Sequence, residues 1–261
     1  MARVVAVVNQ KGGVGKTFLV FHLAHFLVER GARVLAVDLD PQGNLTLSFK
    51  IREGRVPEDC PAAEIFEEEK LRAEELLPGL FLCGSNIKLA RYEAASSGVA
   101  IYFKFKKSLK KFFRQKEVDF VLIDCPPSLG LFSLSALVAA HKLIVPLRSE
   151  IFSVSGLGDL LNVVSEVKEN INPELEIAGL VINALNPRTK VSRETLKELE
   201  EAQEIPLLAT IPASIKAEEA LRAGLPLWQL EPSHKMAGAL KKALKDILHS
   251  LNDGREIIPN N

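Results

Sequence analysis

Short aliphatic runs alternate with segments of helical periodicity along almost the whole chain. Four of these runs are nearly continuous in aliphatic residues, which is typical of parallel strands covered on both faces. They lie at 4–8, 34–37, 118–123 and 177–182. Shorter runs predict further strands at 80–83, 143–145 and 207–209. Helical patterns between the runs predict helices at 16–30, 86–96, 99–115, 130–140, 154–170, 191–203, 214–223 and 233–251.

This alternation predicts an α/β fold in which one doubly wound, mostly parallel sheet is flanked by helices. A chain of 261 residues suits a single large domain. We assign the domain to 1–252 and expect a short polar tail at 253–261. The segment 41–79 shows neither the strand nor the helix period clearly, so we expect an irregular insertion there.

The composition narrows the class of protein but does not identify a partner. Lysine plus arginine number 33, as do aspartate plus glutamate, so net charge alone neither favours nor excludes a polyanionic partner. The three cysteines lie far apart without the spacing of metal ligands, which is typical of a reduced intracellular protein. Because no apolar stretch approaches the length of a membrane span, we expect a soluble, cytoplasmic protein without a membrane partner.

The main candidate site follows directly after the first predicted strand. The sequence there reads Asn9-Gln10-Lys11-Gly12-Gly13-Val14-Gly15-Lys16-Thr17 and continues into a helical pattern. A glycine-rich turn between a buried strand and a helix lets backbone N–H groups surround a phosphate chain at the positive helix end. In such a loop Lys16 reaches the β- and γ-phosphates, and the Thr17 hydroxyl binds Mg²⁺. The spacing therefore predicts a phosphate-binding loop.

Two further polar segments come directly after buried strands. The second strand leads into Asp38-Leu39-Asp40-Pro41-Gln42-Gly43-Asn44, and the fourth leads into Asp124-Cys125-Pro126-Pro127-Ser128-Leu129-Gly130. The carboxyl ends of parallel strands meet at one edge of a sheet, where ligands bind. Asp124, at the end of an aliphatic strand, is suited to hold Mg²⁺ through a coordinated water. The three segments together predict phosphoryl transfer to water, a reaction that depends mainly on positioning and charge neutralisation.

These motifs resemble the ParA/Soj/MinD family of deviant Walker A partition ATPases. Gln10 stands where the first glycine of an ordinary phosphate-binding loop is usual, and Lys11 opens the loop instead, as in this family. Pro146, Gly156-Leu157 and Ile211-Pro212 also follow the family's order, so the resemblance covers nearly the whole chain. It is nearest to the small chromosomal type that lacks a preceding DNA-binding domain. The resemblance implies a P-loop ATPase fold, ATP or ADP with Mg²⁺ as ligands, and an ATP-dependent sandwich homodimer.

The resemblance also implies a role for each residue of the site. Lys11 is implied to contact the phosphates bound by the partner subunit, although a contact within its own subunit is the alternative. Asp40 is implied to orient or activate the attacking water, so that Lys11, Lys16 and Asp40 are the catalytic residues. The implied Mg²⁺ residues are Thr17, Asp38 and Asp124. The implied nucleotide-binding residues are Lys11, Gly12, Gly13, Val14, Gly15, Lys16, Thr17, Phe18, Asp38, Asp124, Asn183 and Pro212.

Phe18 departs from the family pattern, which usually has a second threonine at this position to contact the α-phosphate. We expect its presence to alter nucleotide affinity while binding survives and hydrolysis stays slow. Asn183 follows a predicted strand and is expected to contact the adenine together with backbone groups near Pro212. The alternative for Asn183 is that it caps the following turn.

A basic helix marks a second candidate site. Between 104 and 116 the chain has seven basic residues and no acidic one, and apolar residues recur on the opposite helical face. Such a helix is either a footprint for phosphate backbones or an ordinary solvated surface. The resemblance favours the first interpretation, because ATP-bound dimers of the family bind DNA without sequence preference. The predicted DNA-contacting residues are Lys104, Lys107, Lys111, Arg188, Lys216 and Arg222.

The predicted function is an ATPase switch for chromosome or plasmid partition. The ATP dimer would bind non-specific double-stranded DNA on the nucleoid, and a ParB-like partner would stimulate hydrolysis. A MinD-like or other cargo-positioning ATPase is the alternative. A dinucleotide-binding oxidoreductase would share Gly13, Gly15 and Asp38, but Phe18 stands where its third glycine belongs. A binding module without turnover remains open if Asp40 does not orient water.

Overall fold

The computed structural model describes residues 2–54, 58–95, 98–148, 154–186, 188–202 and 205–252, and these form one eight-stranded sheet. The predicted polar tail, 253–261, lies outside the described residues. The strands are β1 (Arg3–Val7), β2 (Val34–Asp38), β3 (Glu74–Leu77), β4 (Leu80–Cys83), β5 (Phe120–Asp124), β6 (Lys142–Leu147), β7 (Glu176–Leu185) and β8 (Leu207–Pro212). Their order is β3-β4-β2-β5-β1-β6-β7-β8, and β3 with β4 is the antiparallel pair among them. The prediction of a mostly parallel sheet is confirmed.

Helices cover both faces of this sheet. They are α1 (Lys16–Val28), α2 (Asn44–Lys50), α3 (Pro61–Glu68), α4 (Ala90–Ala95), α5 (Phe103–Phe112), α6 (Leu131–Ala139), α7 (Val154–Asn170), α8 (Lys190–Ala202), α9 (Ile215–Arg222), α10 (Leu227–Leu230) and α11 (Lys235–Asn252). One apolar core packs α3, α5, α6, α7 and α8 against one face of the sheet. The other core packs α1, α9, α10 and α11 against the opposite face. None of the described helices is both long and apolar enough to cross a membrane.

The segment 41–79 is not an irregular insertion, so this prediction was wrong. It contains α2, α3 and β3. With seven residues, α2 is too short to establish a helical period in the sequence. At the edge of the sheet, β3 exposes Glu74 and Glu75. Charged side chains protect an edge strand from pairing with other chains. Because they interrupt the apolar run, such a strand is also hard to predict from the sequence.

The sheet topology brings the three polar segments to one edge. β1 lies beside β5, and β5 lies beside β2. Asp38 and Asp124 are register partners on β2 and β5, and Val7 is the partner of Asp124 on β1. Neighbouring strands are about 4.8 Å apart. The glycine-rich loop after β1 therefore begins next to Asp124 and two strands away from Asp38.

The helix that follows this loop, α1, is apolar on nearly all sides, and its two histidines, His22 and His25, are buried. The Nδ1 atom of His22 lies 2.9 Å from the Phe18 carbonyl oxygen, and the two rings have centroids 4.2 Å apart. Trp228 of α10 packs against the same imidazole at 5.8 Å between centroids. Burial lowers the pKa of His22 to about 3 and the pKa of His25 to about 4. Both imidazoles are therefore neutral in the folded protein at physiological pH.

Acid is expected to destabilise the fold through these histidines. Below pH 6.5, the ordinary pKa of histidine, the unfolded chain binds protons that the folded imidazoles do not bind. Their stabilisation is complete above this pH and is lost as the pH falls towards the folded pKa values. The wild type should lose unfolding free energy as the pH falls from about 6.5 to 4.5. In His22→Leu this loss should be smaller than in the wild type by roughly 2 to 3 kcal/mol. Urea unfolding at a series of pH values measures this difference.

The control for this experiment is Phe26→Leu, a buried substitution on the same helix that removes no titratable group. It should lower the unfolding free energy by a similar amount at every pH. If His22→Leu retained the full acid dependence of the wild type, the neutral, buried state of His22 would be refuted.

Candidate functional site

The glycine-rich loop after β1 has a conformation that depends on glycine. Gly13 and Gly15 have positive φ angles of 72° and 98°, and α1 begins directly afterwards. A Cβ atom on Gly15 would lie 1.9 Å from Nδ2 of Asn183, which excludes a side chain there. Asn183 donates a hydrogen bond from Nδ2 to the Val14 carbonyl at 3.2 Å. Asn183 thus supports the loop, and its contact with adenine stays a prediction.

Lys16 is buried beneath the loop. Its Nζ atom donates to the carbonyl oxygens of Asn9 and Lys11, both at 2.9 Å, and the residue is 7% exposed. Burial lowers the pKa of Lys16, while the nearby carboxylates of Asp124 and Asp40 act in the opposite direction. Two neutral carbonyls compensate only part of the desolvation of an ammonium group. A phosphate chain is a stronger partner for this cation.

Thr17 and Asp124 form a pair of oxygen groups suited to Mg²⁺. The Thr17 hydroxyl donates to Oδ2 of Asp124 at 2.6 Å. Oδ1 of Asp124 is buried and has no hydrogen-bond partner among the described residues. A buried carboxylate oxygen without a partner is unfavourable, and a cation or a bound water would stabilise it. Mg²⁺ fits, because it prefers hard oxygen ligands, keeps several waters and takes only one or two carboxylates from a protein.

Asp38 is enclosed on all sides and receives three hydrogen bonds. Its Oδ1 accepts from the Asp40 backbone N–H at 3.1 Å. Its Oδ2 accepts from the Thr46 N–H at 2.9 Å and from the Thr46 hydroxyl at 2.7 Å. Burial raises the pKa of Asp38 to about 6, and burial together with nearby Asp38 raises the pKa of Asp124. Two buried carboxylates on neighbouring strands repel each other, and a cation bound nearby would relieve the repulsion.

Asp40 occupies a tight loop between β2 and α2. Its Oδ1 accepts from the Gln42 N–H at 2.9 Å, and its carbonyl accepts from the Gly43 N–H at 2.9 Å. Gly43 has a φ of 65°, and a Cβ atom there would lie 2.7 Å from the Ser85 carbonyl oxygen. The carboxylate predicted to orient water is therefore held in place by its own loop.

A cavity of about 770 Å³ opens beside the loop, within the range of small-molecule sites. Its lining includes the polar residues Lys16, Thr17 and Asp40. It also includes apolar side chains from α1, α2 and α9, which are Phe18, Leu47 and Leu221. The remaining lining includes the predicted residues Gly12, Gly13, Gly15, Asn183 and Pro212. A cavity lined by both charged and apolar side chains suits a nucleotide, which has charged phosphates and a largely apolar base.

Phe18 is both cavity wall and core. It is 8% exposed, lines the cavity and packs its ring on His22. The side chain offers no hydrogen-bond donor where the family usually has a hydroxyl. At this position the protein therefore has apolar packing against His22 in place of the polar contact that is usual in the family.

The three lysines predicted to contact DNA from α5 point towards α3. Lys104 donates a hydrogen bond to the Phe66 carbonyl, and Lys107 and Lys111 pair with Glu69 at 3.1 and 3.4 Å. Phe66 and Glu69 lie at the C-terminal end of α3, where cations stabilise unpaired carbonyls and the helix dipole. Periodicity located the apolar face of α5 correctly but could not identify the helix beside its basic face. Contact of these lysines with DNA stays a prediction.

The other predicted DNA-contacting residues lie elsewhere in the molecule. Arg188 follows β7 and Lys216 follows β8, so both lie at the carboxyl edge of neighbouring strands. Lys216 pairs with Glu219 and Glu231 at 2.9 and 3.4 Å. Arg222 lines the cavity beside α1. The two groups are separated, because α5 and α9 pack on opposite faces of the sheet.

Several polar residues of the site were not predicted from the sequence, and Thr46, Arg148 and Asn9 are three of them. Thr46 binds Asp38, as described above. Arg148 lines the cavity and donates from Nη1 to the Gly13 carbonyl at 3.4 Å. Asn9 donates from Nδ2 to the Pro146 carbonyl at 2.8 Å, which joins the loop to β6. All three lie in or next to recognisable motifs, but the contacts of Arg148 and Asn9 depend on which strands become neighbours.

A phosphate-binding loop between a buried strand and a helix, with Asp124 on the adjacent strand, defines a P-loop nucleotide-binding protein. A family model described as an AAA domain matches residues 2–177. The chain is 30% identical over 257 residues to sporulation initiation inhibitor protein Soj of Bacillus subtilis, which covers 95% of this chain and 98% of the relative. It is 32% identical over 255 residues to chromosome-partitioning ATPase Soj of Treponema pallidum, with the same coverage of both chains.

Solved structures share the fold. Cobyrinic acid a,c-diamide synthase from Mycobacterium smegmatis, crystallised with an ATP analogue and magnesium, is 34% identical with a TM-score of 0.80 over 99% of both chains. The ATP complex of a McdA variant from Cyanothece is 23% identical with a TM-score of 0.82 over 96% of both chains. The chain belongs to the ParA/Soj family of P-loop ATPases. It is an ATPase, and its ligands are ATP or ADP and Mg²⁺.

Proposed function

We propose that this protein is an ATP-dependent switch for DNA partition. It dimerises around ATP, binds double-stranded DNA without sequence preference as a dimer, and releases the DNA after hydrolysis stimulated by a ParB-like partner. Similarity to chromosome-partitioning ATPases along almost the whole chain is the observation that carries the proposal. The protein is then cytoplasmic and associated with the nucleoid while it holds ATP.

The contacts of the site support a division of roles in hydrolysis. Lys16 exchanges its two carbonyl partners for the β- and γ-phosphates. Thr17 and Asp124 would hold Mg²⁺, which neutralises phosphate charge when bound. Asp38 lies beside Asp124 on the neighbouring strand and supports the Mg²⁺ shell. Asp40, fixed in its loop, orients the water that attacks the γ-phosphate.

Lys11 is proposed to act across the dimer. Its backbone N–H donates to Oδ1 of Asn9 at 2.9 Å, and its carbonyl accepts from Nζ of Lys16. These backbone contacts hold the loop whichever way the Lys11 side chain points. A cation that reaches the partner's phosphates would stabilise the charge that develops in the transition state. Dimerisation would then require ATP.

The DNA contact is proposed at one or both of two basic surfaces. The α5 surface consists of Lys104, Lys107 and Lys111, and the edge surface consists of Arg188, Lys216 and Arg222. The ion pairs that the α5 surface makes with Glu69 are exposed, so they are weak enough to exchange for phosphate contacts. The affinity for DNA falls as the salt concentration rises, and the slope of this fall is proportional to the number of cationic side chains that contact phosphates.

Two double substitutions are expected to distinguish these surfaces. The wild type should retain DNA with ATP but not with ADP. Lys107→Gln/Lys111→Gln and Arg188→Gln/Lys216→Gln test the α5 surface and the edge surface separately. The variant that removes true contacts should reduce the slope of log affinity against log salt by about two. DNA co-sedimentation at several salt concentrations measures this slope.

The matched control is Lys242→Gln/Lys245→Gln, which removes the same charge from exposed positions on α11. It should leave the slope unchanged. If ATP drives dimerisation but the wild type retains no DNA, the DNA cargo is refuted. The result would then favour the alternative of a MinD-like or other cargo-positioning ATPase, which uses the same site with a different cargo.

A further inference from the structure

One threonine outside the nucleotide cavity connects three segments around the loop that contains Asp40. The Thr46 hydroxyl donates to Oδ2 of Asp38 at 2.7 Å and accepts from the Ser85 backbone N–H at 2.8 Å. Its backbone N–H donates to the same carboxylate oxygen at 2.9 Å. Thr46 is 1% exposed, so water does not compete for these bonds. A single hydroxyl therefore joins the end of β2, the first turn of α2 and the segment that follows β4.

These bonds clamp the loop that contains Asp40. At one end of the loop, the Asp40 N–H donates to Oδ1 of Asp38, whose other oxygen is bound by Thr46. At the other end, Gly43 packs so closely on the Ser85 carbonyl that a Cβ atom would lie 2.7 Å away. Thr46 holds both Asp38 and Ser85. It therefore fixes the distance between the two supports of the loop.

We propose that Thr46 is a positioning residue for ATP hydrolysis, and that its hydroxyl acts through Asp38 to hold Asp40 at the attacking water. This inference rests on the role proposed above for Asp40. Thr46 does not belong to the described lining of the nucleotide cavity, so it is not expected to contribute to nucleotide binding. A shift of a catalytic group by about 1 Å can slow a reaction by as much as a hundredfold. Loss of the hydroxyl should therefore lower kcat and leave KM nearly unchanged.

The variants Thr46→Ser and Thr46→Ala isolate the hydroxyl. Both remove the methyl group that packs near Gly84, and they differ only in the hydroxyl. The kcat of Thr46→Ala should be about tenfold lower than that of Thr46→Ser, while KM for ATP agrees within about twofold. The serine variant should keep most of the wild-type turnover. The affinity for ADP, measured without turnover, should be the same in both variants.

Three results would overturn the inference. Equal kcat values for the serine and alanine variants would mean that the hydroxyl only stabilises the fold, which the melting temperatures of both would show. A weaker affinity for ADP in Thr46→Ala would assign Thr46 to binding. Recovery of kcat at high Mg²⁺ would mean that Asp38 acts through the metal and not through Asp40.

Asp40→Asn, measured in parallel, distinguishes this inference from the proposed function. If Asp40→Asn abolishes turnover while Thr46→Ala equals Thr46→Ser, only the role of Thr46 fails. If Asp40→Asn turns over ATP at the wild-type rate, the proposed role of Asp40 fails, and the role of Thr46 fails with it.

Discussion

Replacing Lys16 by glutamine is expected to lower kcat/KM for ATP by at least about a hundredfold. The ammonium group is the buried cation of the phosphate-binding loop, and an amide cannot supply its charge. The nucleotide-free protein should still fold, because two carbonyls compensate only part of the desolvation of this charge, although the nearby carboxylates of Asp124 and Asp40 lose a cation. The increase in melting temperature that Mg²⁺ and ATP cause in the wild type should disappear. Steady-state kinetics and thermal unfolding with and without nucleotide measure both effects.

Lys142→Gln is the matched control for this substitution. Lys142 is also buried, at 5% exposure, but it begins β6 and pairs with Glu176 at 2.6 Å. Its replacement should lower the melting temperature and leave the ATP-induced increase in place. A Lys16→Gln protein that still gains stability from ATP would show that Lys16 does not bind the phosphates.

Lys11→Ala is expected to abolish ATP-dependent dimerisation while nucleotide binding within the subunit survives. The substitution leaves both backbone bonds of Lys11 intact, so the loop should keep its conformation. Only the side-chain cation proposed to reach the partner's phosphates is lost. Gel filtration with light scattering should give a dimer for the wild type with ATP and a monomer for the variant under all conditions. DNA retention should be lost with the dimer.

Two outcomes would contradict the role of Lys11 across the dimer. A variant that still dimerises with ATP would remove the lysine from the interface. A variant whose affinity for ATP falls as much as that of Lys16→Gln would place the lysine on the phosphates of its own subunit. Lys242→Ala, an exposed lysine on α11, controls for the loss of one positive charge and should behave as the wild type.

Much of the fold could be predicted because its central strands are buried on both faces. Such strands must be nearly continuous in apolar residues, and β1, β2, β5 and β7 stand out in the sequence for this reason. The glycine-rich loop could be recognised because its backbone requires glycine at Gly13 and Gly15. These constraints act locally, so the residues themselves report them.

The region between β2 and β4 could not be predicted in the same way. α2 and α3 are short, and β3 is an edge strand with exposed glutamates, so none of them has a long apolar period. Likewise, the sequence showed that α5 has a basic face but not that Glu69 of the neighbouring α3 end pairs with it. Arg222 lines the cavity because α9 packs beside α1 and α2, and the sequence does not show this packing either.

The order of polar residues along the chain was enough to predict a nucleotide site, because each predicted catalytic group follows a strand that burial makes recognisable. Folding was needed to show how these groups support one another. Asp38 and Thr46 are close in sequence, at the end of β2 and in the first turn of α2, but Thr46 meets Ser85 only because β2 and β4 are neighbours. Likewise, Asn183 supports the phosphate-binding loop from β7, far away in sequence. Hydrogen bonds depend on distances of a few tenths of an ångström, and strand order and helix packing set those distances.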